Sequence, residues 1–549
     1  MTPRHDRLQC RPRRSARASL AMIACAGLAS GCATKGAASG APARDWPMFN
    51  GSYSGERYSR LAEIDKKNVS SLRRVCTFDT GENAKSFESG PVVVDGVLYV
   101  TTDMATYAAD AATCALRWKH LHPYHPPSFI GANRGVAFEN GRLFRGSGDG
   151  HVFAIDARTG RSLWDVAIAD QARGETVPLA PVAWNGMVFA GNAGGDIFGV
   201  TGRVYALSAE DGRVLWRFDV VPESGPARET WPKEIPPTGG ATWTTYSLDP
   251  AAGVLFISTG NPAPDFAIEL RQGENLYSNS VIALDARTGK MLGFVQPIKN
   301  DFHDWDMAAA PVLITTRGGQ RLAVAAAKDG LLYGIDRSSI RRGGAEPSLL
   351  PIRYRAETTT RFNIETPLST EHSVRFCPGV VGGTEWNGPA YHPGHNLVFV
   401  PAVDWCASVK LAPPETLEGR PGEVWMGAAA EAPFGTTDPV AQWGGWLTAF
   451  DADTGSVRWK YRSPTPMLAG VTPTAGGLVF TGDLAGDFFA FDAESGQILW
   501  REHLGQPMGA GVVTFEVAGR QRIAVGTGKV SPIWPVEGET ARVVVFGLP

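Results

Sequence analysis

The segment H-D-W-D-M-A-A (residues 303–309) places two carboxylates, Asp304 and Asp306, on either side of a tryptophan. A carboxylate held in fixed geometry can take the proton of a hydroxyl group. It can equally bind a hard cation or cap a turn. Asn261, in S-T-G-N-P-A-P (258–264), offers an amide oxygen, another hard donor, in what also reads as a plain Gly-Asn-Pro turn. Asp196, in G-N-A-G-G-D-I-F-G-V-T-G (191–202), is a further carboxylate or a further turn cap. Two glycines precede Trp243 in T-G-G-A-T-W (238–243), so a flat ring could reach the backbone beside an indole that stacks well. Glu88 in F-E-S-G-P, Arg134 in A-N-R-G and Lys328 in A-A-K-D-G are charged residues; taken singly, each reads as surface or structural.

What must position these residues is a repeat. The phrase apolar-x-Asp-Ala-x-Thr-Gly, with Trp four residues after the Gly, ends at Trp118, Trp164, Trp216, Trp459 and Trp500 in variant forms. A copy ending at Gly293 has lost the Trp, and a degraded copy, Y-G-I-D-R-S-S, lies at 333–339. A second phrase, a short apolar run entered by a turn residue, begins near Gly96, Gly141, Gly186, Gly253, Arg321, Asn396, Gly476 and Arg522. Such spacing allows about 65 residues per unit, enough for a four-stranded propeller blade. Asp and Thr cap the turn, Gly supplies positive φ, and Trp wedges between blades. Closing the ring buries every blade face, which an open solenoid cannot do. The expected fold is therefore all-β, an eight-bladed β-propeller with tryptophan-motif repeats over residues 45–549. Four long inserts, 221–240, 262–280, 338–375 and 407–444, are expected to roof one end of the ring.

From D-W-P-M-F-N-G-S-Y-S-G-E-R-Y-S at residue 45 to the C-terminus, the chain resembles the quinoprotein alcohol dehydrogenases, which use pyrroloquinoline quinone (PQQ) and calcium. The resemblance makes Asp306 the catalytic base and places Asp196, Asn261 and Asp306 on the metal. Asp196 stands where the family usually has Glu, with one extra residue before Gly199. The resemblance also puts Arg134 on a PQQ carboxylate, Lys328 near the quinone oxygens, Glu88 in contact with the cofactor and Trp243 beneath it. W-N-G at Trp386 and V-D-W-C at Val403 match a subgroup, in which Asp404 faces the cofactor. Ala308 stands where lanthanide-using relatives have a second Asp, which implies calcium. Ser128 and Phe129 replace adjacent cysteines that many relatives carry over the quinone, and Pro178 replaces a Thr.

The first 31 residues read as a secretory leader: six arginines, an apolar run from Ala18 to Leu28, then A-S-G-C ending at Cys32. Cys32 resembles the acylated cysteine of a bacterial lipoprotein, and residues 32–44 a flexible tether. An address in the periplasm, anchored to a membrane through Cys32, follows. Four cysteines remain in the body; the expected pairs, Cys76–Cys114 and Cys377–Cys406, close the shortest loops. No C-x-x-C-H occurs, so electrons are expected to leave to a separate carrier such as a periplasmic cytochrome c. The formal charge of −3 becomes more negative once the arginine-rich leader is removed, which argues against nucleic acid as a partner. The alternative reading is a non-catalytic outer-membrane lipoprotein propeller that binds proteins. Which alcohol is used is not written in the motifs.

Overall fold

A computed structural model describes residues 44–83, 86–126, 131–344 and 346–549. The leader, Cys32, Ser128 and Phe129 lie outside the described residues. The eight apolar runs become the second strands of eight antiparallel sheets, and the fold is an eight-bladed propeller. Blade three, for example, runs Val182–Trp184, Met187–Gly191, Arg203–Ser208 and Val214–Asp219. Blade four is Ser247–Asp249, Val254–Ser258, Val281–Asp285 and Met291–Val295. Blade five is Val312–Thr315, Arg321–Ala326, Leu331–Asp336 and Ile352–Glu357. Inner strands are covered on both faces, whereas outer strands alternate between exposed and partly covered residues, as in Ile352–Glu357.

The repeat phrase works as a blade-to-blade dock. In blade one, Trp118 donates its Nε1–H to the carbonyl of Ala157 in the next turn, at 3.1 Å. Trp164, Trp216 and Trp459 do the same to Ala209, Ala286 and Ala493. Each indole also lies over the glycine of that turn: a Cβ on Gly160 would sit 2.7 Å from Trp118. Asp156 caps the same turn through Thr159 N and Oγ1. Where blade five lacks the Trp, Tyr354 covers Gly455 of blade six.

The ring closes with one strand from the front of the chain. Arg73–Asp79 pairs antiparallel with Arg542–Gly547 to complete blade eight. The disulfide Cys76–Cys114 ties this closing strand to blade one, and Cys377–Cys406 forms the second bridge, as expected. The inserts depart in part from a roof. Residues 338–375 contain the outer strand of blade five, and Ser348–Leu349 adds to blade four. Residues 407–444 do reach across the ring: Trp425 N donates to Asp196 O, and Phe266 N to Met426 O.

Candidate active site

A chain that reverses at every strand places two kinds of connection on one face of a propeller. One joins the second strand of a blade to its third; the other enters the first strand of the next blade. The charged candidates fall in these connections. Asp196, Asn261 and Lys328 lie between second and third strands of blades three, four and five. Glu88, Arg134, Trp243 and Asp306 lie just ahead of the first strands of blades one, two, four and five.

Two groups of contacts result. In the first, one carboxylate oxygen from each of Asp196, Asp265 and Asp304 lies within 4.8 Å of the others. Lys328 Nζ sits beside them, 3.4 Å from Asp304 Oδ1 and 3.1 Å from Asp306 Oδ2. Asp306 Oδ1 accepts the backbone N–H of Asn261 at 3.0 Å. The acids crowd one another. Removal from water, then the charge of Asp306, pushes half-buried Asp196 up to about 6, against the pull of Lys328. Burial, then Asp196 and Asp304, holds Asp265 well above the ordinary carboxylate range. Burial raises Asp304 as well, with Lys328 opposing. Lys328 pays for its own burial, yet Asp304, Asp306 and Glu385 hold its ammonium well above the usual lysine value.

In the second group, Arg134 Nη2 lies 2.6 Å from Glu88 Oε2, and both residues are buried. Burial raises Glu88, with Arg134 opposing. Arg134 Nη1 donates to Trp243 O at 2.9 Å. Its guanidinium carbon is 4.8 Å from the centre of the Trp243 ring and 5.4 Å from that of Trp386. Glu385 links the groups. Burial pushes it up to about 7, while it feels Lys328 and Asp306 on one side and Glu88 and Arg134 on the other.

Close backbone packing holds the acids in place. Gly240 N donates to Asn261 O at 2.8 Å, and a Cβ on Gly239 would stand 2.4 Å from that same oxygen. A Cβ on Gly260 would stand 2.6 Å from Asp306 Oδ1. Arg271, buried, clamps two loops: it donates to the carbonyls of Pro264 and Asp265 at 2.9 Å and to that of Asp301. Asp301 in turn accepts the N–H groups of His303 and Trp305, fixing the segment that carries Asp304 and Asp306.

The structure thus brings together Asp196, Asp306 and Lys328, and separately Glu88, Arg134 and Trp243. Asn261 joins through its backbone; its side-chain Nδ2 turns to Pro262 O at 3.4 Å. Asp404 turns elsewhere: it accepts from Arg462 at 2.7 Å and Trp446 Nε1 at 2.9 Å. Asp265, Glu385 and Arg271 were missed by sequence reasoning. Asp265 follows the N-P-A-P turn and Glu385 immediately precedes Trp386, so proximity to flagged residues was the available signal.

An all-oxygen cluster of buried acids suits a hard cation. A buried arginine beside two indoles, its Nε meeting no acceptor among the described residues, suits a flat polyanion. The profile of the family described as "Glucose/ethanol/alcohol dehydrogenase, beta-propeller domain" matches residues 46–341, and that of "Outer membrane protein assembly factor BamB" residues 444–544. The chain is 31% identical to the quinoprotein alcohol dehydrogenase PedH of Pseudomonas putida KT2440, over 89% of this chain and 87% of the relative. It is 30% identical to the lanthanide-dependent methanol dehydrogenase of Methylacidiphilum fumariolicum SolV, over 81% and 78%. A europium-containing methanol dehydrogenase superposes with a TM-score of 0.80 at 26% identity, over 92% of this chain and 98% of that one. This chain belongs to the PQQ-dependent alcohol dehydrogenase family.

Proposed function

We propose that the chain oxidises an alcohol in the periplasm, at the acid cluster, and passes the electrons to a separate carrier. The observation that carries this reading is the convergence of Asp196, Asp265 and Asp304, with Lys328 bridging Asp304 and Asp306, together with the buried Glu88–Arg134 pair. Asp196, the amide oxygen of Asn261 and Asp306 would hold the metal. Arg134 and Glu88 would hold the polar groups of PQQ, with Trp243 against its ring. PQQ, when bound, would supply the two-electron acceptor for the alcohol's hydride, and the metal would polarise the reacting carbonyl.

Asp306 takes the hydroxyl proton. Its Oδ1 is fixed by the Asn261 N–H and its Oδ2 by Lys328, so the carboxylate is oriented before substrate arrives. Lys328 also supplies positive charge where negative charge grows during transfer. Glu385, between the two groups, is placed to receive or hold a proton. Asp404, paired with Arg462 and Trp446, is left out of the cofactor set. An all-oxygen donor set calls for a hard cation, and calcium meets that need at the divalent end of the range.

The basic, apolar leader ending at Cys32 supports export and acylation, and the lack of C-x-x-C-H supports a separate acceptor such as cytochrome c. The scaffold reading leaves this acid cluster, with Asp265, Asp304 and Asp306 buried and Lys328 against two of them, without a purpose, at a cost that a binding surface does not require. Purified apoprotein given PQQ with calcium or a lanthanide, then assayed for dye-linked oxidation across primary, secondary and sugar alcohols, tests the proposal. Turnover that needs both additions supports it. Neither turnover nor uptake of PQQ would leave the scaffold.

A further inference from the structure

Asp265 is fully buried, and neither of its carboxylate oxygens meets a hydrogen-bond donor among the described residues. Arg271 reaches only its backbone carbonyl. A buried carboxylate left in this way is costly unless a cation meets it. Its side chain faces Asp196 and Asp304, within 4.8 Å of both. Asp306, by contrast, has an N–H donor on each oxygen. The charged groups that meet here are Asp196, Asp265, Asp304 and Asp306 with Lys328 and, beside Asp265, Arg271, with Glu385 beyond the lysine.

We infer that Asp265 is a direct metal ligand of this site. The inference rests on the reading of a metal and quinone site given above. Asp265 supplies from the neighbouring loop a carboxylate that Ala308 lacks. Arg271 positions it by clamping Pro264 and Asp265 to Asp301. Both loops therefore deliver acids to one point, and the 407–444 strap covers the loop of Asp196 from above.

The test is titration of the full-length, metal-free protein with Tb3+ and with Ca2+, with PQQ present, read by calorimetry and by terbium luminescence excited through the tryptophans. The wild type is expected to bind Tb3+. Asp265→Asn, which keeps the shape and removes the charge, is expected to weaken Tb3+ binding by roughly 100-fold or more. The same variant is expected to melt at a higher temperature than wild type without metal, and at a lower one with saturating Tb3+. A residue that only packs would lower both. Tb3+ affinity within about threefold of wild type in Asp265→Asn, or a metal-free variant less stable than wild type, overturns the ligand role. A wild type that binds neither ion overturns the metal-site reading itself, and this inference with it.

Discussion

Asp306 is the base in the proposed reaction, and both of its oxygens are held by N–H donors before a substrate is present. Asp306→Asn keeps the shape and the hydrogen bonds to one oxygen but removes the base. It should lower kcat roughly 10²–10⁴-fold while PQQ uptake, followed by absorbance, stays near wild type. Glu385 gives a pH signature. It is neutral in the fold up to about 7 but ionises near 4.5 in the open chain. Its raised value therefore favours the folded state fully below about 4.5, and that advantage is lost as pH rises through about 7, on the order of 3 kcal/mol in all. Melting temperatures of metal-free protein should fall across that window, and Glu385→Gln should flatten the slope. Much of this scale was legible. Asp196, Asp306, Lys328, Arg134, Glu88 and Trp243 were named from short motifs, and each lies in one of the two contact groups. Asp265 and Glu385 were not, because an acid beside a proline turn or a tryptophan looks like a cap until distant loops meet it. Asp404 was named from a motif, yet its strand end turns it toward Arg462.

At the scale of the element, the repeated turn and tryptophan carry the load between blades. Trp216 is buried, donates to Ala286 O at 3.1 Å and covers Gly289. Trp216→Ala should destabilise the protein by roughly 3–5 kcal/mol, read as a shift in denaturant midpoint. The blades were legible because both phrases recur with little drift. The 338–375 insert was not, because its turn is degraded and its tryptophan is replaced. Only the alternation I-R-Y-R-A-E marked Ile352–Glu357 as an outer strand, and Tyr354 within it takes over the wedge against Gly455. The strap at 407–444 carried no periodic signal. Its role comes from single backbone contacts, such as Trp425 N to Asp196 O.

The whole molecule is a ring, and its closure is long-range. Blade eight needs both ends of the sequence, Arg73–Asp79 against Arg542–Gly547. Deleting residues 542–549 should abolish cooperative unfolding, measured by circular dichroism on heating. A sharp, unchanged transition would show that the ring closes some other way. Replacing Cys76 and Cys114 with serine frees a loop spanning 38 residues and should cost about 4 kcal/mol in the same measurement. Closure also explains why the site lies where it does: only a complete ring points connections from blades one to six at one another. The direct test is a crystal structure of protein loaded with PQQ and terbium, with anomalous scattering collected at the terbium edge. One strong peak among Asp196, Asn261, Asp265 and Asp306, with the quinone over Trp243, is the predicted result. A peak elsewhere, or a quinone bound away from Arg134 and Trp243, would contradict the account.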